Sequence, residues 1–197
     1  QPRPRWNINF QFGGQLILYD RLLHIGNLSG TTTTAQNVQG TGTPTPALTR
    51  YTNGLGNMVW AEIYTQIGAT GTTLSMSYTD ENGAVSTSPT QTFGGTNFRE
   101  ESRAILLPLA SGDRGVQSVR TVTVAATTGT AGNFGIVVGH PLAFCNIGTA
   151  GVPGWRDFVT GLPGIPEVLT DACLAFLWVP QSTTAPELFG CYSMIEN

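Results

Sequence analysis

Short apolar runs separated by turn residues constrain the fold of this chain more than any other feature of its sequence. Within residues 73–79, large apolar side chains alternate with serine and threonine at successive positions, which is the period of a half-buried β-strand. The next four residues, Asp80-Glu81-Asn82-Gly83, contain an Asn-Gly pair that favours a tight hairpin turn. Similar runs recur along the chain at intervals of about 8–12 residues, a spacing typical of β-sandwiches and barrels. The sequence therefore predicts an all-β protein.

The number of runs indicates the architecture. We predict a jelly-roll-like β-sandwich of about 8–10 strands, with residues 1–12 forming an extended N-terminal arm and first strand. Residues 13–197 are predicted to form a single domain with a long Gly/Thr/Pro loop at 26–50. The run 15–25 could be a strand or a short helix, and its length favours a strand.

Two local features refine this prediction. Pro108 follows an apolar run at 104–107, and a proline there places that strand at a sheet edge or at its own end. Val116 is out of step with the alternation that begins at Val119, which predicts a β-bulge near Gln117-Ser118.

The composition argues against catalysis and against nucleic-acid binding. The chain has no lysine, two histidines, 28 threonines and 25 glycines, and charged residues make up 11%, compared with roughly 25% in ordinary soluble domains. Catalytic sites concentrate titratable side chains, and this chain has few of them. Its net charge of −3 lacks the basic excess of a nucleic-acid-binding surface. We predict a structural or binding protein that is not an enzyme and needs no cofactor.

Individual residues lead to the same expectation. His24 and His140 lie in apolar runs without a neighbouring nucleophile and acid, so we expect both to be hydrogen-bonded strand residues rather than general bases. The three cysteines have neither C-x-x-C spacing nor a nearby histidine, and no metal site is predicted. Buried thiols are the favoured interpretation of Cys145, Cys173 and Cys191, and a Cys173–Cys191 disulfide across a C-terminal hairpin is the alternative.

The sequence also gives expectations about a signal peptide and about membrane-spanning helices. Residues 1–6 are polar and include two prolines and two arginines, so no signal peptide is expected at this end. No run approaches the roughly 18 consecutive apolar residues of a membrane-spanning helix.

A resemblance to a family of proteins comes from the C-terminal part. A proline-punctuated segment leads into a short Ala-rich apolar strand, and a Ser/Thr loop and a final strand follow, over Leu162-Pro-Gly-Ile-Pro-Glu-Val-Leu-Thr-Asp-Ala-Cys-Leu-Ala-Phe-Leu-Trp-Val-Pro180, Ser182-Thr-Thr and Leu188-Phe-Gly-Cys-Tyr192. In these features the chain resembles virion structural proteins of tailed bacteriophages, most closely capsid decoration (cement) proteins.

The resemblance implies a function and partners. A decoration protein binds the outer capsid lattice, commonly as a trimer, and stabilises contacts between capsid subunits, so the expected location is the capsid surface of a virion. The expected partners are the major capsid protein or other virion proteins, with no nucleic acid and no membrane. Arg3 and Arg5 in the arm could contact acidic capsid loops, and Trp6 and Trp155 complete the candidate partner-binding residues.

Two alternatives remain open at this point. A tail, connector or receptor-binding component would share the composition and the fold but occur in few copies. A non-catalytic carbohydrate-binding β-sandwich would need an exposed aromatic platform, and Trp155 in its Pro/Gly-rich segment is the candidate for it.

Overall fold

A computed structural model describes residues 14–148 and 167–180, and every regular element in these ranges is a β-strand. Ten strands follow one another along the chain: β1 Gly14–Leu28, β2 Gln36–Asn37, β3 Met58–Thr65, β4 Gly71–Asp80, β5 Val85–Thr87, β6 Gln91–Gly94, β7 Ala104–Leu107, β8 Val116–Val124, β9 Asn133–Ile147 and β10 Leu174–Pro180. The all-β prediction is confirmed. Within the described ranges, no helix is long and apolar enough to cross a lipid bilayer.

The strands form two five-stranded sheets, and each strand pair whose register is known is antiparallel. One sheet has the order β10-β1-β9-β3-β7, and the other has the order β2-β8-β4-β5 with β6 also paired to β4. If β6 and β10 are set aside, the remaining orders are β1-β9-β3-β7 and β2-β8-β4-β5. Two antiparallel sheets that share successive strands are consistent with the predicted β-sandwich, and its jelly-roll topology remains a prediction.

The chain divides into two compact units. The larger, Asp20–Pro141, contains β2 to β8 and parts of β1 and β9, and the smaller is formed by Gln1–Tyr19 with Leu142–Asn197. In the described part of the smaller unit lie the beginning of β1, the end of β9 and the strand β10. The predicted N-terminal arm and first strand at 1–12 lie outside the described residues.

The larger unit has a core formed by both of its sheets. The inward-facing residues of β4 are Leu74, Met76 and Tyr78, all at most 1% exposed, as their alternation with polar residues predicts. Phe93 on β6 and Phe134 on β9 belong to different sheets, and their rings make an edge-to-face contact with centroids 4.9 Å apart. This contact lies between the two sheets and joins them within the core.

The hairpin between β4 and β5 is the clearest agreement between sequence and structure. The Oδ1 atom of Asp80 accepts hydrogen bonds from the backbone N–H groups of Asn82 and Ala84, each at 2.8 Å. Gly83 has a φ of 84°, in the left-handed region that glycine adopts without steric cost. The predicted bulge is also confirmed, since Thr79 pairs with Ser118 while Asp80 pairs with Val116, and Gln117 is left as the additional residue.

Most of the segment 26–50 lies outside the regular strands, as its composition predicts, but the segment is not confined to the surface. Strand β1 extends to Leu28, and β2 at Gln36–Asn37 forms one edge of the second sheet. Val38 and Leu48 are buried, as is Gln39, whose side chain accepts a hydrogen bond from the backbone N–H of Val119 at 2.7 Å. The segment therefore contributes two apolar side chains, Val38 and Leu48, to the core. The hydrogen bond to Val119 offsets the desolvation cost of burying the Gln39 amide.

Candidate functional site

The four candidate partner-binding residues from the sequence, Arg3, Arg5, Trp6 and Trp155, all lie outside the described residues. So does Cys191, the second partner in the alternative disulfide. These assignments remain predictions. The other two cysteines are not buried: Cys173 is exposed and Cys145 is partly exposed, so the prediction of buried thiols is wrong for both.

Four features of the larger unit are considered as candidate sites. They are an apolar groove, a neutral pocket, the edge of the sheet at β7, and a polar cluster beside the groove formed by Tyr51, Asn57 and His140.

The groove lies where β3 begins and β7 ends. It has a volume of about 320 Å³ and is lined mainly by the backbone and apolar side chains of two segments, 56–59 and 106–109, with Asp113 and Arg114 as its charged residues. Leu106 in the lining is 51% exposed. Leu55, which immediately precedes the segment 56–59 in the chain, is 47% exposed. Exposed apolar side chains around a concave surface are typical of a surface that contacts another macromolecule.

Both charged residues of the groove already have partners within the chain. Asp113 accepts a 2.5 Å hydrogen bond from the hydroxyl group of Tyr78, and that hydroxyl accepts a hydrogen bond from the backbone N–H of Ala110 at 2.8 Å. Burial, together with the hydrogen bond to the Asp113 carboxylate, raises the pKa of Tyr78 to about 12. The Arg114 side chain contacts Glu81, with Nε 3.5 Å from Oε1. The groove therefore presents mostly apolar surface, and its charges serve to hold the loop that follows β7.

His140, at the edge of the groove, has the hydrogen-bonded role that the sequence predicts. Its Nδ1 atom lies 3.0 Å from Oδ1 of Asn57, and its ring is stacked on Tyr51 with centroids 3.7 Å apart. The side-chain amide of Asn57 donates to the backbone carbonyls of Tyr51 and Val116 at 3.1 and 3.0 Å, which fixes Oδ1 as the acceptor. The proton of the neutral ring is therefore on Nδ1, and the ring ties β9 to the start of β3.

His24 is also hydrogen-bonded, as predicted. Its Nε2 atom contacts the hydroxyl group of Tyr64, and the two rings meet edge to face with centroids 5.3 Å apart.

A buried ion pair joins β1 to the end of the segment 26–50. The guanidinium of Arg50 donates to both carboxylate oxygens of Asp20, at 2.7 and 2.8 Å. The exposed fractions of the two side chains are 12% for Arg50 and 0% for Asp20. Bidentate geometry of this kind is the strongest form of carboxylate pairing. Sequence reasoning missed this pair, although a lone aspartate inside the apolar run 15–25 was a signal that a cation must be supplied from elsewhere.

The pKa of His140 leads to a prediction about stability. Burial lowers it from the ordinary value of 6.5, and the negative charge of Asp20 only partly opposes the shift. A lowered native pKa means that the unfolded chain binds more protons, so the contribution of neutral His140 is complete above about pH 6.5 and is lost as the pH falls below that value. We expect the free energy of unfolding, measured by urea denaturation, to decrease between pH 7.5 and 5 (roughly the range in which histidine titrates).

The variant His140→Gln, which cannot titrate, should reduce this decrease. His24→Gln is the matched control, because it removes the other histidine of the chain and should retain the part of the decrease that is due to His140. An equal decrease in His140→Gln and in the wild-type protein would contradict the assignment.

The neutral pocket lies on the other sheet. It has a volume of about 290 Å³, and its lining combines small apolar side chains with hydroxyl and amide groups, from Gly42, Pro44, Ala47, Leu48, Thr52, Thr79, Gln117 and Ser118. It contains no charged side chain. Elsewhere in the described residues, no group of three or more His, Cys, Asp or Glu side chains is placed to hold a metal ion.

Comparisons with protein-family models, with curated proteins and with solved structures gave no match for this chain. Its function must therefore be argued from its own residues.

Proposed function

We propose that this chain is a structural virion protein that binds and stabilises a bacteriophage capsid as a decoration protein. The observation that carries the proposal is the combination of few charges with their internal use: Asp20 and Arg50 pair with each other, Glu81 contacts Arg114, and Glu100 lies between two arginines. Strand β7 itself contains no charged residue, and Asp113 and Arg114 are the only charged residues that line the groove. Such a surface can be covered by a neighbouring subunit with few ions to desolvate.

The fold class supports the proposal in a general way. Jelly-roll sandwiches are common in viral capsid and lectin domains, although a fold alone does not define a function. The resemblance of the C-terminal part to phage decoration proteins adds a specific context. In that context, stabilisation is a linkage effect: a protein that binds the assembled shell but not the separated subunits shifts the equilibrium towards the shell.

The copy number of the chain in purified particles tests this function directly. Quantitative mass spectrometry against the major capsid protein should give a simple ratio of this chain to the shell protein, because a decoration protein occupies every equivalent lattice position. A few copies per particle would favour a tail, connector or receptor-binding component. Absence from particles would overturn the virion assignment and would make the carbohydrate-binding module the next candidate.

The predicted contacts of the arm can be tested on the same particles. Deletion of residues 1–6, which contain Arg3, Arg5 and Trp6, should weaken rebinding to particles that have been stripped of the protein. Trp155→Ala serves as the second variant, because loss of glycan binding in that variant would support the carbohydrate-binding alternative. Unchanged capsid rebinding by the deletion variant would remove the arm from the proposed interface.

A further inference from the structure

The outer edge of β7 presents backbone hydrogen-bonding groups whose positions follow from the pairing with β3. Ile63 donates to the carbonyl of Arg103 at 3.0 Å and accepts from the N–H of Ser102 at 2.8 Å, and Ala61 pairs with Ile105 two residues further on. Hydrogen-bonded and non-hydrogen-bonded pairs alternate along antiparallel strands. The N–H and C=O groups of Ile105 therefore face β3, and those of Ala104 and Leu106 face away from the sheet.

This edge is short and has defined ends. Two residues, Ser102 and Arg103, face the single residue Ile63, and Ser102 has a φ of 63°. This arrangement is a β-bulge whose first residue has a left-handed backbone conformation. At the other end, Pro108 has no N–H group to offer a neighbouring strand. Bulges and prolines limit open-ended pairing along exposed edges, so only Ala104–Leu107 can accept a partner strand.

The residues of this edge complement a second copy of the same edge. In an antiparallel arrangement centred on Ile105, Ala104 of each copy pairs with Leu106 of the other, and all four N–H and C=O groups that face outwards on each copy find partners. Leu106 is 51% exposed and Ala104 is also exposed, so each large side chain would lie beside a small one. We propose that two copies of this chain associate through their β7 edges about a two-fold axis in this register.

The charges around the edge do not oppose this arrangement. Ala104–Leu107 contains no charged residue, so the two-fold axis brings no like charges directly opposite each other, which would destabilise the pair. In the same register, Arg103 of one copy lies opposite Leu107 of the other. Leu107 lines the groove together with one carboxylate, Asp113, and one guanidinium, Arg114, whose opposite charges offset each other for an approaching arginine. The contact is independent of the proposed function and separate from the three-fold association that the resemblance implies.

Sedimentation equilibrium of the full chain tests the association. The weight-average mass of the wild-type protein should rise with concentration towards that of two chains, and Leu106→Lys should raise the dissociation constant by roughly tenfold or more, since an ammonium group replaces the apolar contact at the edge. Val85→Lys is the matched control: Val85 is 59% exposed on β5, at an edge of the other sheet, and its substitution should leave the dissociation constant unchanged. A monomeric wild-type protein, or an equal effect of both variants, would overturn the proposal.

Cysteine cross-linking tests the register even if the lysine variant is poorly folded. In the proposed register, residues 104 and 106 of different copies have Cα atoms about 5.5 Å apart, within the range for a disulfide. Like residues, 104 with 104 or 106 with 106, are roughly 8 Å apart, which is too far. Oxidation of a mixture of the Ala104→Cys and Leu106→Cys chains should therefore give a covalent dimer, and each variant alone should give no more than the wild-type background. Cross-linking of Leu106→Cys alone, or none in the mixture, would overturn the register.

Discussion

Replacement of Arg50 by alanine is expected to lower the free energy of unfolding by about 3–5 kcal/mol, the usual cost of leaving one member of a buried ion pair without its partner. Asp20 is fully buried, and Arg50 donates to both of its carboxylate oxygens. Removal of the guanidinium therefore leaves a carboxylate in a site that water does not reach. Urea denaturation at pH 7, followed by circular dichroism, measures the change.

Two further variants make this result specific. Arg114→Ala removes an arginine whose side chain is 72% exposed, although that of its partner Glu81 is 6% exposed. It should cost much less than Arg50→Ala, because the Glu81 carboxylate keeps its 3.0 Å hydrogen bond from the backbone N–H of residue 114. Arg50→Lys keeps the charge but not the bidentate geometry, and its stability should fall between the alanine variant and the wild-type protein. If Arg50→Ala unfolded at the same urea concentration as Arg114→Ala, the pair would not carry the structural role assigned to it.

Phe134→Ala is expected to destabilise the larger unit by about 3–5 kcal/mol, through lost burial and the cavity that remains. The Phe134 side chain is fully buried, and its ring makes the contact with Phe93 that joins the two sheets. Phe144→Ala is the matched control on the same strand, because Phe144 is 49% exposed and its loss should cost far less. Urea denaturation of both variants provides the comparison, and similar losses in the two would contradict the placement of Phe134 in the core.

A double-mutant cycle separates the ring contact from general burial. Phe93→Ala, Phe134→Ala and the double variant should show a coupling energy of about 0.5–1.5 kcal/mol, the range for paired aromatic rings. Strictly additive losses would mean that the two rings stabilise the core independently.

Local sequence patterns were sufficient wherever the decisive interactions lie within a few residues. The β4–β5 hairpin follows from alternation and from the turn chemistry of Asp80 and Gly83, and both residues act as expected. Pro108 limited the strand at 104–107 to a sheet edge or to an end at the proline, and β7 has both properties. The bulge at Gln117 followed from a break in the alternation of valines. In each case the covalent geometry or the side-chain periodicity of a short segment limits the conformations that it can adopt.

The segment 26–50 shows where local patterns were insufficient. Its composition predicts a loop, yet Gln39 is 1% exposed and hydrogen-bonded to β8. A glutamine can be buried only where strands distant in sequence supply its partners, and composition carries no information about such partners.

The candidate site was the least accessible part from sequence alone. The groove is assembled from residues 56–59, 106–109 and the loop that contains Asp113, which become neighbours only when β3 pairs with β7. The predicted partner-binding residues Arg3, Arg5, Trp6 and Trp155 lie outside the described residues and remain predictions.

The sequence by itself determined the all-β class, the principal hairpin, the edge strand and the scarcity of charges, because these depend on side-chain type and on periods of a few residues. Only the tertiary structure decided which distant groups meet: Asp20 with Arg50, Asn57 with His140, and Tyr78 with Asp113. Those partners are 30 to 83 residues apart in the chain. The physical reason is that a buried polar group needs a partner but does not specify where in the sequence it comes from, so strand order and register make that choice.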